Sequence, residues 1–201
     1  FNEELATTSF SSGDYAKATA KLASTAWTKG SGEIDIYDGR NILLKIQPDD
    51  KLSAGSIKKV WPPMKTLPSG EKTKVAPSAD PLIPLVYKIG VMGTPTVALI
   101  TKALHDVIEE AKNNGDIQID SSYNSTTETT HLTQLYVGTK GNITITGKAV
   151  SDSFWTVSGF TGGTNGAEAS YISIGGAGKI SSRLSHERER RDLGQYSFYD
   201  S

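Results

Sequence analysis

Residues 85–115 read LVYKIGVMGTPTVALITKALHDVIEEAKNNG, and this stretch decides the fold class. Its first part, Leu85 to Met92, is an apolar run that predicts a buried strand. Six apolar residues then recur at intervals of three and four and predict an amphipathic helix: Val97, Ile100, Leu104, Val107, Ile108 and Ala111. We expect Thr94 to cap this helix, Pro95 to occupy its first position, and Gly115 to close it in the left-handed conformation.

After Gly115 the sequence changes to a period of two. Four runs of alternating apolar and polar residues predict strands, separated by turns rich in serine, threonine and glycine: DIQID (116–120), LTQLYVG (132–138), NITITG (142–147) and SFWTVSGF (153–160). Strands that follow one another through turns form antiparallel sheets, and the apolar face of the helix can pack on such a sheet.

The first part of the chain contains a shorter helical pattern. Between Ser12 and Trp27, after Gly13 and Asp14, apolar residues recur at helical spacing: Tyr15, Ala18, Leu22 and Ala26. The sequence therefore predicts an α+β fold that is mostly antiparallel β, with one long amphipathic helix packed on a sheet and a short N-terminal helix.

A β-hairpin is predicted between the two helical patterns. The runs GEIDIY (32–37) and NILLKIQ (41–47) flank Asp38 and Gly39, and an Asp-Gly pair supplies the positive backbone angles of a tight turn. Most of the prolines follow in residues 61–84, which we interpret as a connector because proline removes backbone donors. This divides the chain into residues 1–60, the connector 61–84 and a helix-on-sheet region 85–201, which together can also form one compact domain.

Composition excludes several classes of function. The chain carries 21 basic and 22 acidic residues, which gives no field that would concentrate nucleic acid or an anionic membrane. It has no cysteine, so thiolate zinc sites and cysteine nucleophiles are excluded, and its three histidines form no metal-ligand motif. The first residues, FNEELATTSF, do not form a signal peptide. Because the sequence begins with Phe, we expect a fragment of a longer protein or a processed product. We expect no cofactor and no metal.

The run ISIGGAGKISS (172–182) invites comparison with a phosphate-binding loop. Such a loop needs a glycine six positions before its lysine and a hydroxyl directly after it. Ser173 and Ile180 occupy these positions, so we interpret the run as a glycine turn that binds no nucleotide. His105 and Glu109 are one helical turn apart, but without further partners we assign them no catalytic role.

A longer segment resembles a known family. PLIPLVYKIGVMGTPTVALITKALHDVIEEA (81–111), followed by QLYV (134–137), NITITG and FWTV (154–157), resembles the baseplate wedge and short-tail-fibre connector proteins of T-even contractile bacteriophages. In that family an apolar strand leads through a small-residue turn into an amphipathic helix, and threonine-rich strands follow. The likeness covers residues 81–160 and lies in element order and apolar positions, not in a catalytic signature.

The resemblance implies a structural virion protein that is not an enzyme, namely the C-terminal part of a homotrimeric baseplate subunit assembled in the host cytoplasm. Its partners would be other baseplate wedge proteins and the short tail fibre protein, with no nucleic acid and no membrane. The interface candidates are aromatic: Phe154, Trp155, Tyr196, Phe198 and Tyr199. A receptor- or carbohydrate-binding β-module remains the alternative, with a groove lined by Phe154, Trp155 and Tyr171.

Overall fold

The computed structural model describes residues 12–60, 65–66, 68–73, 75–79 and 82–166. One compact unit, Asp14–Thr164, contains all the helices and strands of these residues. A second unit consists of Phe1–Gly13 and Asn165–Ser201, of which residues 12, 13, 165 and 166 are described.

The described strands and helices form an α+β fold, in which nine strands precede the first helix. The strands are β1 (Tyr15–Leu22), β2 (Ile34–Tyr37), β3 (Leu43–Ser53), β4 (Ile57–Val60), β5 (Lys65–Thr66), β6 (Lys72–Thr73), β7 (Ser78–Ala79), β8 (Leu82–Ile83), β9 (Leu85–Met92), β10 (Ile119–Asn124), β11 (Thr129–Val137) and β12 (Trp155–Val157). The helices are α1 (Val97–Asn113) and the short α2 (Lys148–Ser151), and a 3₁₀ turn spans Thr139–Gly141.

Two four-stranded sheets form the body of the unit. The first has the order β10-β11-β1-β12, and its neighbouring strands are antiparallel. The second has the order β2-β3-β9-β4 and contains one parallel pair, β3 with β9. Between β4 and β9, the short strands pair as two antiparallel ribbons, β5 with β6 and β7 with β8. The α+β class, mostly antiparallel with one long helix, is confirmed.

Helix α1 joins the two sheets because it contacts strands of both, namely β10, β11 and β1 of the first and β9 and β4 of the second. Its buried face consists of Ile100, Thr101, Ala103, Leu104, Val107, Ile108 and Ala111. The predicted apolar stripe is therefore confirmed, with Val97 partly buried at its start. These residues belong to one hydrophobic core that both sheets share.

Buried polar side chains hold the helix and the sheets in register. Thr101 of α1 accepts a hydrogen bond from the backbone N–H of Leu22 at 3.1 Å, and its own carbonyl accepts from the hydroxyl of Thr130 at 2.8 Å. Gln134 of β11 reaches the hairpin of the second sheet, where its amide accepts from Gly39 N–H at 3.0 Å and donates to the carbonyl of Tyr37 at 2.9 Å. Each such bond contributes about 1 kcal/mol and fixes one relative position of the elements.

The predicted N-terminal helix is wrong, because this segment forms strand β1. Its buried residues are Ala16, Ala18, Ala20 and Leu22, which alternate as a strand requires. Alanine fits the apolar face of a helix and the inner face of a strand equally, so the spacing of Tyr15, Ala18 and Leu22 suggested the wrong period. Here pairing with β11 and β12 overrides helix propensity.

The ends of β9 and α1 confirm most of the prediction and correct its N-cap. Strand β9 has the predicted bounds, Leu85–Met92, and Gly115 closes the helix with φ of +75°. The cap is Thr96 instead of Thr94, and its hydroxyl accepts from Leu99 N–H at 3.2 Å. Pro95 consequently precedes the cap instead of following it. Both threonines of Thr-Pro-Thr have the chemistry of a cap, so the sequence alone did not distinguish them.

The predicted hairpin of β2 and β3 is confirmed, but its turn differs. The residue with positive φ is Asn41, at 63°, and not Gly39. Gly39 instead allows close packing, since a Cβ there would lie 3.2 Å from the Cβ of Tyr136. The left-handed conformation is acceptable for asparagine, whose short polar side chain tolerates it.

The run NITITG, predicted as a strand, is an irregular segment with one isolated bridge, from Thr146 to Asp35. The Asn142 side chain bonds both backbone groups of Gly163, at 2.9 and 3.0 Å, and Gly147 turns away with φ of +112°. A Cβ at Gly147 would lie 2.2 Å from the carbonyl oxygen of Glu33, so glycine is required at this contact. Of the other predicted strands, SFWTVSGF contains the short β12, and DIQID and LTQLYVG overlap β10 and β11.

Candidate functional site

The structure describes two of the five predicted interface aromatics. Trp155 is 2% exposed and meets Trp27 edge to face, with ring centroids 5.3 Å apart and planes at 89°. Phe154 is half-buried and packs against the core. Trp155 is therefore a core residue with no surface for a partner, as its position opposite Leu22 in the sheet requires. The remaining candidates lie outside the described residues: Tyr196, Phe198 and Tyr199.

Two further sequence features also lie outside the described residues, namely Tyr171 and the glycine-rich run 172–182. The aromatic groove of the alternative function would have combined Tyr171 with Phe154 and Trp155. Because Trp155 is buried, its ring is not available as a stacking surface for a sugar.

A polar cluster lies where α1 crosses β10. It consists of His105, Glu109 and Lys112 of the helix with Asp120 and Ser121 of the strand. His105 Nδ1 is 2.7 Å from Ser121 Oγ, which is also 3.0 Å from Glu109 Oε1. Lys112 Nζ donates to Glu109 Oε2 at 2.6 Å and to Asp120 Oδ1 at 2.5 Å. The helical residues share one face because they are four and three positions apart.

Glu109 and Lys112 are both charged at neutral pH. Burial by itself would raise the pKa of Glu109, but hydrogen bonds from Lys112 and Ser121 outweigh it and hold this pKa below its ordinary value. The hydrogen bond to Asp120, followed by the one to Glu109, raises the pKa of Lys112. The polar cluster is thus held together by charge-assisted hydrogen bonds.

Proton positions decide whether this cluster can act as a nucleophile and base. The ionised Glu109 carboxylate can only accept, so the hydroxyl proton of Ser121 points to Glu109. In the tautomer with a proton on Nδ1, His105 donates to Ser121 Oγ. A nucleophilic serine needs the reverse arrangement, in which the histidine accepts the hydroxyl proton. In this arrangement the polar cluster links α1 to β10.

The structural role of the cluster concerns a sheet edge. β10 is the outer strand of the first sheet, and its Ser121 N–H donates to Glu109 Oε1 at 3.2 Å. An unpaired N–H on an edge strand can pair with a strand of another molecule. A carboxylate that accepts the hydrogen bond of this N–H opposes such pairing. Ser121 and Lys112 were not singled out by the sequence, because their roles depend on the packing of a helix on a distant strand.

The other face of the first sheet is open and mostly polar. Its residues lie in cross-strand rows, such as Lys17 with Thr133 and Thr19 with His131. Ser158 extends the second row, since its hydroxyl accepts from Thr19 N–H at 2.7 Å. A shallow depression of about 140 Å³ lies among these side chains. The open face is thus covered by hydroxyl and charged groups.

Apolar side chains interrupt the open face at one corner. Tyr15 pairs with Val137 across β1 and β11 at a point where the register of the two strands shifts, and Leu135 precedes Val137 by two residues. These three side chains, here called the apolar corner, are 46%, 47% and 43% exposed respectively. The sequence carried a signal for them: in the run Leu135-Tyr136-Val137 successive residues point to opposite faces, so some apolar residues must face outward.

Comparison of the chain with protein-family models, with curated proteins and with solved structures finds no match. Among the described residues, no group of three or more histidine and acidic side chains could hold a metal ion. The helices in the described part of the chain are too short or too polar to cross a membrane.

Proposed function

We propose that this chain is a structural virion protein, a homotrimeric subunit of a contractile-tail baseplate that docks neighbouring wedge proteins and the short tail fibre protein. The apolar corner of the open sheet face carries the proposal. The order β9, α1, β10, β11, β12 supports it, because an apolar strand, an amphipathic helix and later strands also follow one another in the family that residues 81–160 resemble. The segment NITITG departs from that order, since it forms no strand.

The apolar corner has the composition of an interface centre. Monomeric proteins expose scattered apolar residues, but adjacent ones surrounded by polar groups mark interaction surfaces. Tyr15, Leu135 and Val137 are adjacent and about half exposed, and Lys17 and Thr133 continue the face beside them. Aromatic residues are enriched at interface centres and polar residues at rims, which is the arrangement found here.

A second copy of the chain is the occupant we propose for the apolar corner. A stable contact buries about 800 Å² on each partner, more than three side chains supply, so the polar rows must form part of the same contact. Closed cyclic symmetry would let each copy cover the corner of its neighbour. The outer surfaces would remain polar and available to other virion proteins.

Sedimentation equilibrium of the full chain at micromolar concentration tests the assembly. We expect three times the chain mass of 21.5 kDa. The double variant Leu135→Asp, Val137→Asp should sediment as a monomer, since charges at an apolar contact oppose burial. Met92→Asp is the matched control, because Met92 is 50% exposed on the second sheet and should leave the trimer intact.

A monomeric parent chain, or a double variant that remains trimeric, would contradict assembly through the apolar corner. Co-purification of the tagged chain with baseplate wedge and short-tail-fibre proteins tests the finer assignment. If the chain is a trimer but captures none of these proteins, self-association is supported and the baseplate assignment is contradicted.

A further inference from the structure

A depression lies on the second sheet, lined by side chains of β3, β9, α2 and the loop before β2. This charged cleft has a volume of about 460 Å³, within the range of small-molecule sites. Its walls come from the loop that carries Lys29 and Gly32, from the bend of β3 around Pro48, and from Lys88 of β9 and Lys148 of α2. Several separate parts of the chain thus converge on one opening.

The bend of β3 gives the cleft its shape. The pairing of β3 with β9 changes register between Asp49 and Ser53, and such irregularities bend a strand and redirect its side chains. On the opposite wall, a Cβ at Gly32 would lie 2.4 Å from the Cβ of Lys148, so glycine is needed for this close approach. A Cβ at Gly30 would meet no atom within 4 Å, which leaves the entrance beside it open.

Most of the charges that line the cleft already have partners. Asp49 pairs with Lys88 at 2.9 Å, and hydrogen bonds from Lys88 and the Lys51 backbone hold the pKa of Asp49 below its ordinary value. Glu33 pairs with Lys45 at 3.0 Å. Lys148 pairs with Asp152. These groups therefore contribute little net charge to a ligand.

Four polar side chains in the lining remain available: Lys29, Lys51, Asp50 and Gln47. In the described part of the chain, Lys29 and Lys51 make no ion pair, although Lys51 lies near enough to Asp49 to influence its pKa. The remaining charge is the exposed carboxylate of Asp50. The half-buried Gln47 contributes an amide that can both donate and accept.

We propose that the charged cleft binds a small hydroxylated carboxylate, with an acidic sugar as the chemical class. Lys29 and Lys51 bind its carboxylate, while Asp50 accepts from a hydroxyl and Gln47 bonds a second one. The negative charge of Asp50 repels a densely charged polyanion. A ligand with one carboxylate and several hydroxyls suits both kinds of side chain, because its carboxylate pairs with the lysines and its hydroxyls donate to Asp50. This site is independent of the proposed assembly.

An NMR titration of the full chain with galacturonate at low ionic strength tests the proposal. Galacturonate should bind about tenfold more tightly than neutral galactose, since two exposed ion pairs together are worth about that factor. The double variant Lys29→Gln, Lys51→Gln should lose this preference. Lys102→Gln is the control, because Lys102 pairs with Asp106 on α1 and does not line the cleft.

Three outcomes would overturn the proposal. The first is that galactose binds as tightly as galacturonate, and the second is that the double variant keeps the preference. The third is that sodium sulfate perturbs the same residues with equal affinity, which would mean adventitious anion binding only. Unfolding curves of the variants distinguish lost binding from lost structure, and these exposed lysine substitutions should leave the urea midpoint unchanged.

Discussion

Asp38 is a single residue that fixes the turn of a hairpin and the approach of a distant loop. Its carboxylate is fully buried and accepts five hydrogen bonds. One oxygen accepts from the backbone N–H groups of Arg40 and Ile42, at 2.9 and 3.0 Å. The other accepts from the Arg40 guanidinium at 2.8 and 3.0 Å and from Gln118 N–H at 3.2 Å. The carboxylate thereby replaces the solvent that these donors would otherwise need.

Replacing Asp38 should therefore be costly. Asp38→Ala would leave three backbone donors and part of the Arg40 guanidinium without an acceptor, and we expect a loss of about 3 kcal/mol in the free energy of unfolding. Asp106→Ala is the matched control, because Asp106 is only half-buried and pairs with Lys102 within one helix, where about 0.5 kcal/mol is expected. Urea unfolding measures both, and equal effects would show that burial of Asp38 does not matter.

At the scale of elements, the sequence predicted structure wherever one period dominates. The stripe from Ile100 to Ala111 has no strand-like alternative, and β9 is apolar almost throughout, so both were confirmed. β1 failed because alanines fit either period, and NITITG failed although its alternation is regular. In NITITG, the Asn142 side chain forms hydrogen bonds with the backbone of Gly163. These are tertiary contacts that the local alternation of residues does not encode.

Helix α1 should contribute more to stability through its buried face than through any exposed side chain. Leu104 is fully buried between the sheets, and Leu104→Ala should lower the free energy of unfolding by about 2 to 5 kcal/mol through lost burial and a cavity. Leu99 is on the same helix but 39% exposed, so Leu99→Ala should cost less than about 1 kcal/mol. Comparable losses in chemical denaturation would mean that the face carrying Leu104 is not the core.

At the scale of the whole molecule, the features that sequence analysis missed are those that join distant segments. The parallel pairing of β3 with β9 brings Asp49 beside Lys88, and this pair forms part of the charged cleft. The apolar corner needs β1 beside β11, which a helical N-terminus would have precluded. Neither candidate site contains a local motif, because each is assembled by sheet order, and sheet order is set by packing of the complete core.

The unit Asp14–Thr164 contains every residue of the hydrophobic core among those described. A chain of this size buries about 70% of the surface that it exposes when unfolded, enough for a stability of about 5 to 15 kcal/mol. We therefore expect a fragment with these bounds to fold alone and to unfold cooperatively in urea.

Trp27 and Trp155 are held edge to face in the core, so the folded fragment should give a near-ultraviolet circular dichroism signal that urea removes. The same fragment with Leu104→Asp provides the unfolded reference, since a buried unpaired carboxylate costs several kcal/mol. A fragment that retains strand signal in the far ultraviolet but gives no near-ultraviolet signal would show that the core of Asp14–Thr164 does not pack by itself.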